Sequence, residues 1–280
     1  MEQKTVVVTT PEGPHTLSYT DWGTDSLLPP VLCMHGLTRN ARDFDFLAKA
    51  LSANRRVICL DMIGRGGSDW FTDRQLYQHD TYCQIALQFL NTLEIDVVEW
   101  VGTSMGGLTG LFLAATPATT SRIEKLVLND VGSFIPAAPL KRIGDYVGTD
   151  PEFETLQTAT QYLRTIAQSF GPLTDDQWQH LAEHSFAQRA NQQYGFTYDP
   201  NIAWVFEQDI QDTDLTVFWQ TIEQPTLLMR GKESDLLLSE TANDMAERSN
   251  CKLVEFEGVG HAPMLMNEEQ ISAVIGFLNG

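Results

Sequence analysis

The chain has 280 residues, 42% of them hydrophobic and 10% aromatic, which is enough for one large domain with a substantial core. Its 37 acidic residues against 18 basic ones give a formal charge of −19, a surface that repels nucleic acid and anionic lipid headgroups. No apolar run is long enough to span a membrane, Met1-Glu2-Gln3-Lys4-Thr5 lacks the apolar core of a signal peptide, and the four cysteines include no C-x-x-C pair; a reduced, cytoplasmic protein without membrane insertion is expected.

Stretches 5–10 and 16–20 flank the turn signal Pro11-Glu12-Gly13-Pro14 and predict two short strands. Val31-Leu32-Cys33-Met34 is a continuous apolar run closed by His35-Gly36. Helical spacing over 41–52 leads to Val57-Ile58-Cys59-Leu60, closed by Asp61. A helical stretch at 80–93 precedes the run 97–101, and another at 104–115 precedes the run 126–128, which ends at Asn129-Asp130. Much later come the run 226–229, closed by Arg230-Gly231, a helix over 239–248, the run 252–256 and a helix over 268–278. Short apolar runs bounded by Gly, Asp and Asn suit strands buried on both faces. Strand alternating with helix predicts an α/β fold with a doubly wound, mostly parallel sheet of eight strands.

One interval breaks the alternation. Residues 133–223 contain helix-like stretches at 139–147, 152–170, 174–185 and 202–208, with Thr174 and Gln177 placed as a capping box. They predict a helical cap inserted after the sixth strand and lying over the strand ends. Residues 1–132 and 224–280 then form the sheet-bearing core.

In such sheets ligands bind beyond the carboxyl ends of the strands. That rule singles out His35, Asp61, Ser104, Asp130, Asp235 and His261. Gly102-Thr103-Ser104-Met105-Gly106 lies between a strand and a helix, the context in which G-x-S-x-G presents a nucleophilic serine on a sharp, strained turn. A serine needs a base, and the base an orienting acid. Of the six histidines, His261 stands in the loop Gly258-Val259-Gly260-His261-Ala262-Pro263 just after the last strand. For the acid, Asp235 in Gly231-Lys232-Glu233-Ser234-Asp235 completes the order Ser, Asp, His. Asp130 is a rival, read more readily as a cap for its own loop, and Glu233 is a weaker one.

Taken together, these motifs resemble the α/β-hydrolase family, in its cap-bearing serine esterase and lipase branch. His35-Gly36, the loop Asp61-Met62-Ile63-Gly64-Arg65-Gly66-Gly67-Ser68-Asp69, the turn at Ser104, the Gly-x-x-x-Asp loop ending at Asp235 and Gly260-His261 carry the resemblance. It implies an oxyanion hole made by the backbone N–H groups of Leu37 and Met105. It also implies a carboxylesterase that needs no cofactor and no metal, acting on a small-molecule ester as a monomer or homodimer. Arg65 stands where the family often carries His, and only local repacking of the loop is expected. Dehalogenases and epoxide hydrolases of the family use Asp as nucleophile, so Ser104 argues against both. Carbon–carbon hydrolases of ring-cleavage products do use Ser, but there a bulky aromatic follows the catalytic His, and here Ala262 does. A non-catalytic small-molecule receptor on the same scaffold is the other alternative.

Substrate choice is expected in the cap, with Trp178 and Trp204 as candidate substrate contacts and Arg39 beyond the oxyanion loop as a third. His180-Leu181-Ala182-Glu183-His184 matches the H-x-x-E-H pattern of some zinc peptidases. No third ligand stands near it in the sequence, so a solvated helix face is the expected role.

Overall fold

The computed structural model describes residues 1–24 and 26–280. β1 (Glu2–Thr10) and β2 (Gly13–Trp22) pair as an antiparallel hairpin. There follow β3 (Val31–Met34), α1 (Asp45–Leu51) entered through a 3-10 turn at Ala41–Phe44, β4 (Val57–Leu60) and α2 (His79–Thr92). Next come β5 (Val98–Thr103), α3 (Met105–Ala115) and β6 (Ile123–Asn129).

The chain then leaves the main sheet. It forms β7 (Phe134–Ile135), α4 (Ala137–Gly144), α5 (Leu156–Ile166), α6 (Asp175–Ser185), β8 (Phe186–Gln188) and β9 (Tyr194–Phe196). A 3-10 stretch at Pro200–Glu207, β10 (Thr213–Asp214) and α7 (Thr216–Thr221) complete the excursion. It returns as β11 (Thr226–Gly231), α8 (Ser239–Ala246), β12 (Cys251–Phe256) and α9 (Glu268–Asn279).

The main sheet has eight strands in the order β1-β2-β4-β3-β5-β6-β11-β12. Every pairing from β4 to β12 is parallel, and β2 alone runs against its neighbours. Successive strand residues face opposite sides. Leu32, Met34, Ile58, Leu60, Leu126 and Leu128 join one core layer, with α2 and α3. Val31, Cys33, Val57, Cys59 and Val127 join the other, with α1 and α9. This period of two, with both faces covered, is why these runs are apolar throughout.

The strand order reverses at β3, which has β4 on one side and β5 on the other. Such a switch point leaves a crevice at the strand ends between the loops after those strands. His35-Gly36 follows β3 and Ser104 follows β5.

The excursion between β6 and β11 is not purely helical as its sequence suggests. β8 and β9 form a small hairpin, and β10 pairs with β7. These strands are two or three residues long, too short for a period-2 pattern to register. Of the stretch 202–208, all but Gln208 falls in the 3-10 stretch rather than in an α-helix. The capping box at Thr174 and Gln177 is present, and Thr155 and Thr158 form a second one ahead of α5.

Candidate active site

The turn between β5 and α3 is set by what two glycines lack. A Cβ on Gly102 would run into the Gly106 carbonyl, and a Cβ on Gly106 into the Met34 carbonyl of β3. The backbone therefore passes closer to its neighbours than any side chain allows. Between them Ser104 adopts φ 50° and ψ −113°, a region that costs a non-glycine residue of order 1–3 kcal/mol. Its N–H donates to the Asn129 carbonyl at 2.9 Å, which pins the turn to the end of β6.

Ser104 Oγ lies 3.0 Å from Nε2 of His261, and Nδ1 of the same ring lies 2.7 Å from Oδ2 of Asp130. A carboxylate only accepts, so Nδ1 carries the ring proton and Nε2 keeps a lone pair for the serine hydroxyl. Asp130 is fully buried and His261 is partly exposed. The Asp130 carboxylate also accepts from the Gly231 N–H at 2.9 Å and the Ser234 hydroxyl at 2.5 Å. It is thus held from three sides.

Asp235, the acid expected from the sequence, is elsewhere. Its half-exposed carboxylate takes two hydrogen bonds from Arg142, at 2.9 and 2.7 Å. The loop after β11 instead supports the Asp130 carboxylate, through Gly231 and Ser234. Glu233 does not reach the imidazole as an acid either. It accepts from the Gly258 N–H at 3.1 Å and so braces the loop that carries His261. Asp130 has φ 56°, a left-handed conformation that Asp tolerates better than most residues. That is the one local sign separating it from an ordinary strand-end cap, and it is invisible in sequence.

The loop after β3 runs beside the serine: a Cβ on Gly36 would sit 3.8 Å from the Ser104 Cβ. Two buried side chains hold that loop. His35 donates from Nδ1 to the Gly36 carbonyl at 2.7 Å and accepts the Met62 N–H on Nε2 at 3.0 Å. Burial pulls its pKa down to about 3, so the ring stays neutral and can do both. Arg65 is entirely buried. It donates to the Leu37 carbonyl at 2.8 Å, the Ile63 carbonyl at 2.8 Å and the Tyr82 hydroxyl at 3.0 Å, and touches the Met105 sulfur at 3.6 Å. Its guanidinium also lies over the Tyr77 and Tyr82 rings. This goes beyond the local repacking expected of it, since it ties the two residues expected to donate to an oxyanion. Met105 opens α3, so its N–H has no carbonyl one turn back to bond. Asp61 organises a neighbouring loop rather than the relay. Its carboxyl is buried, raised to about 6 by desolvation, and accepts the Ala41 and Gly67 N–H groups at 2.7 and 3.0 Å.

Ser104 and His261 open onto a cavity of about 460 Å³ between the strand ends and the excursion. Leu37, Met105 and Arg39 line it, with Tyr82, Leu108, Phe112, Ile143, Leu163, Phe170 and Met264 among its walls. Arg39 is committed: its guanidinium bonds Asp43 at 2.9 and 2.6 Å and Ser185 Oγ at 2.7 Å, joining the core to α6. Trp178 and Trp204, expected as substrate contacts, do not line the cavity. Trp178 is buried against Phe170, rings stacked at 6.4 Å, with Arg164 over its face. Trp204 donates its indole N–H to the Tyr77 carbonyl at 3.2 Å and lines a separate, shallow concavity. Both belong to the packing of the excursion, and nothing in their sequence context distinguishes them from the aromatics that do line the cavity.

His180 and His184 do acquire a third potential ligand, from a part of the chain the sequence could not point to. Asp45 of α1 brings its carboxylate within 4.8 Å of both rings. Arg42 already occupies that carboxylate through three hydrogen bonds of 2.5–3.0 Å, and its carbonyl lies 2.9 Å from His180 Nε2. The cluster works here as a polar seam between α1 and α6.

Residues 29–268 match the sequence profile of the α/β hydrolase fold. The chain is 38% identical to a 3-hydroxybutyrate-oligomer hydrolase of Cupriavidus necator over 96% of this chain and 95% of that protein. Among solved structures, a hydrolase of Rickettsia typhi superposes with a TM-score of 0.92 at 33% identity, covering 100% of this chain and 99% of the other. An α/β hydrolase of Novosphingobium aromaticivorans superposes at 0.90 with 37% identity, covering 99% and 98%.

Proposed function

The chain belongs to the α/β-hydrolase family, and from that premise we propose that it hydrolyses carboxylic esters through an acyl-enzyme on Ser104. The observation that carries this reading is the aligned relay of Ser104 Oγ, the His261 ring and the Asp130 carboxylate, at 3.0 and 2.7 Å.

In this mechanism His261 Nε2 takes the Ser104 proton as Oγ attacks the ester carbonyl. Asp130 keeps the tautomer and stabilises the imidazolium. The Leu37 and Met105 N–H groups receive the tetrahedral oxyanion, a contribution of about 3 kcal/mol per donor. The C–O bond then breaks, and the alcohol leaves with the proton held by His261. Water, deprotonated by the same ring, attacks the acyl-enzyme and frees the acid and Ser104.

The segment 133–223 acts as the cap that closes the cavity. The relative from Cupriavidus necator directs the substrate reading to short esters of hydroxy acids. A predominantly apolar cavity with the relay at its floor suits that class. The four cysteines are unpaired and no described helix is long and apolar enough to cross a membrane. Those features support a reducing, cytoplasmic setting.

The test pairs covalent labelling by a fluorophosphonate with turnover of p-nitrophenyl butyrate and of the 3-hydroxybutyrate dimer. Labelling at Ser104 and turnover of either ester, both lost in Ser104→Ala, are expected. Full activity in Ser104→Ala would sink the reading. Turnover of a ring-cleavage product without any ester hydrolysis would replace it with carbon–carbon hydrolysis.

A further inference from the structure

His79 is the first residue of α2, and its imidazole lines the cavity beside Tyr82, Leu108 and Phe112. The ring packs edge-on to Tyr82, with centroids 6.0 Å apart, and tilted against Phe112 at 5.6 Å. Its Nδ1 is buried and has no hydrogen-bond partner among the described residues. Buried polar atoms in native proteins are nearly always paired, and one left bare costs about 1–3 kcal/mol. The Tyr82 hydroxyl on the same wall accepts from Arg65 at 3.0 Å.

The ring's charge state narrows what it can bind. Burial lowers its pKa to about 4; Asp80 opposes that shift and Arg65 adds to it. His79 is therefore neutral at pH 7, with one N–H and one lone pair. A hydroxyl, which both donates and accepts, matches either tautomer. A carboxylate would favour the protonated ring, which this site resists.

Resting on the reading that esters are hydrolysed at Ser104, we propose that His79 is a specificity-determining residue whose ring hydrogen-bonds an uncharged hydroxyl on the ester arm that lies along the α2–α3 wall. The preferred substrates are then hydroxy-acid or diol esters over plain aliphatic ones.

Two substrate pairs test this, each exchanging a hydroxyl for a methyl group of similar size. On the acyl side, p-nitrophenyl 3-hydroxybutyrate is compared with p-nitrophenyl 3-methylbutyrate. On the alcohol side, 3-hydroxybutyl butyrate is compared with 3-methylbutyl butyrate. In one pair kcat/KM should favour the hydroxyl by about tenfold, the effect of one such hydrogen bond. That preference should fall to near parity in His79→Phe and persist in part in His79→Gln, whose amide keeps a neutral donor and acceptor. Each preference is a ratio measured on one preparation, so loss of folded protein cancels. No preference in either pair, or one that survives His79→Phe, overturns the assignment and leaves ester hydrolysis standing. No turnover of any of the four esters, with Ser104 unlabelled by fluorophosphonate, overturns both.

Discussion

At the strand ends the reacting groups are fixed by backbone. Gly102 and Gly106 have no room for a Cβ, Ser104 is forced to φ 50°, and Asp130 sits at φ 56° with its carboxylate bonded on three sides. In the segment 133–223 above them, position comes from contact instead. Phe186 stacks on Phe196 at 4.5 Å and Trp178 on Phe170. A few hydrogen bonds sew this roof to the floor: Ser169 Oγ to the His261 carbonyl at 2.6 Å, the Gly260 N–H to the Ser169 carbonyl at 2.7 Å, and the Tyr77 hydroxyl to Asp199 at 2.6 Å. A floor held by backbone tolerates no change in shape, which chemistry at sub-ångström tolerance needs. A roof held by rings can be repacked with less change to its neighbours.

The difference can be broken most directly at the floor. Ser104→Ala should lower kcat on an activated ester by about 10⁶-fold, as expected when the nucleophile of such a relay is removed. Steady-state rates with p-nitrophenyl butyrate check this. Next, Asp130→Asn should cost about 10⁴-fold in kcat, because the amide turns the imidazole to the wrong tautomer. Asp235→Asn should cost less than about threefold, since it loses only a half-exposed pair with Arg142. The same assay reads both, and the reverse ranking would return the acid to the loop after β11.

Gly106→Ala drives a methyl group into the Met34 carbonyl and should destabilise the fold by about 3 kcal/mol or more, measured by urea unfolding. Where the roof is sewn to the floor, Tyr77→Phe leaves the buried Asp199 carboxylate short of one donor. A loss of about 1–3 kcal/mol is expected from the same measurement.

A pH dependence probes floor and roof together. Burial holds His35, His79 and His184 at about 3, 4 and 4, with Arg42 adding to the effect at His184, while the unfolded chain takes up these protons near 6.5. Below pH 6.5 the unfolded state then binds more protons, so stability falls as the pH drops towards 4. Asp61 acts in the opposite sense. It is raised to about 6 in the folded protein against 3.8 unfolded, so it gains stability on acidification through that window. Three groups outweigh one, and the urea midpoint should decline from pH 7 to pH 4.5. A flat profile would mean that the histidines of floor, wall and seam are not held neutral together.

The strand runs and the serine turn were legible because their constraints are local. A period of two with both faces buried writes an apolar run, and a turn without space for Cβ atoms writes glycine on either side of Ser104. His261 was legible from its place after the last strand. Arg65 was visible as a departure from the family pattern, but its hold on Leu37, Tyr82 and Met105 needed a distant loop and two helices to be seen at once. The short strands of the segment 133–223 left no pattern, and neither did the split between aromatics that face the cavity and those, like Trp178 and Trp204, that pack the segment itself.

The sequence by itself determined the sheet, and it pointed to Ser104 and His261 and to the chain order in which an acid would come. Asp130 and Asp235 both satisfy that order, so order cannot choose between them. The choice was made by sheet topology. β6 lies beside β5, so Asn129 bonds the Ser104 turn and Asp130 emerges next to it. β11 lies one strand further out, and its loop reaches back only far enough to brace Asp130 through Gly231 and Ser234. Which strand is next to which is a fact about long-range pairing, and no local pattern in a single chain encodes it.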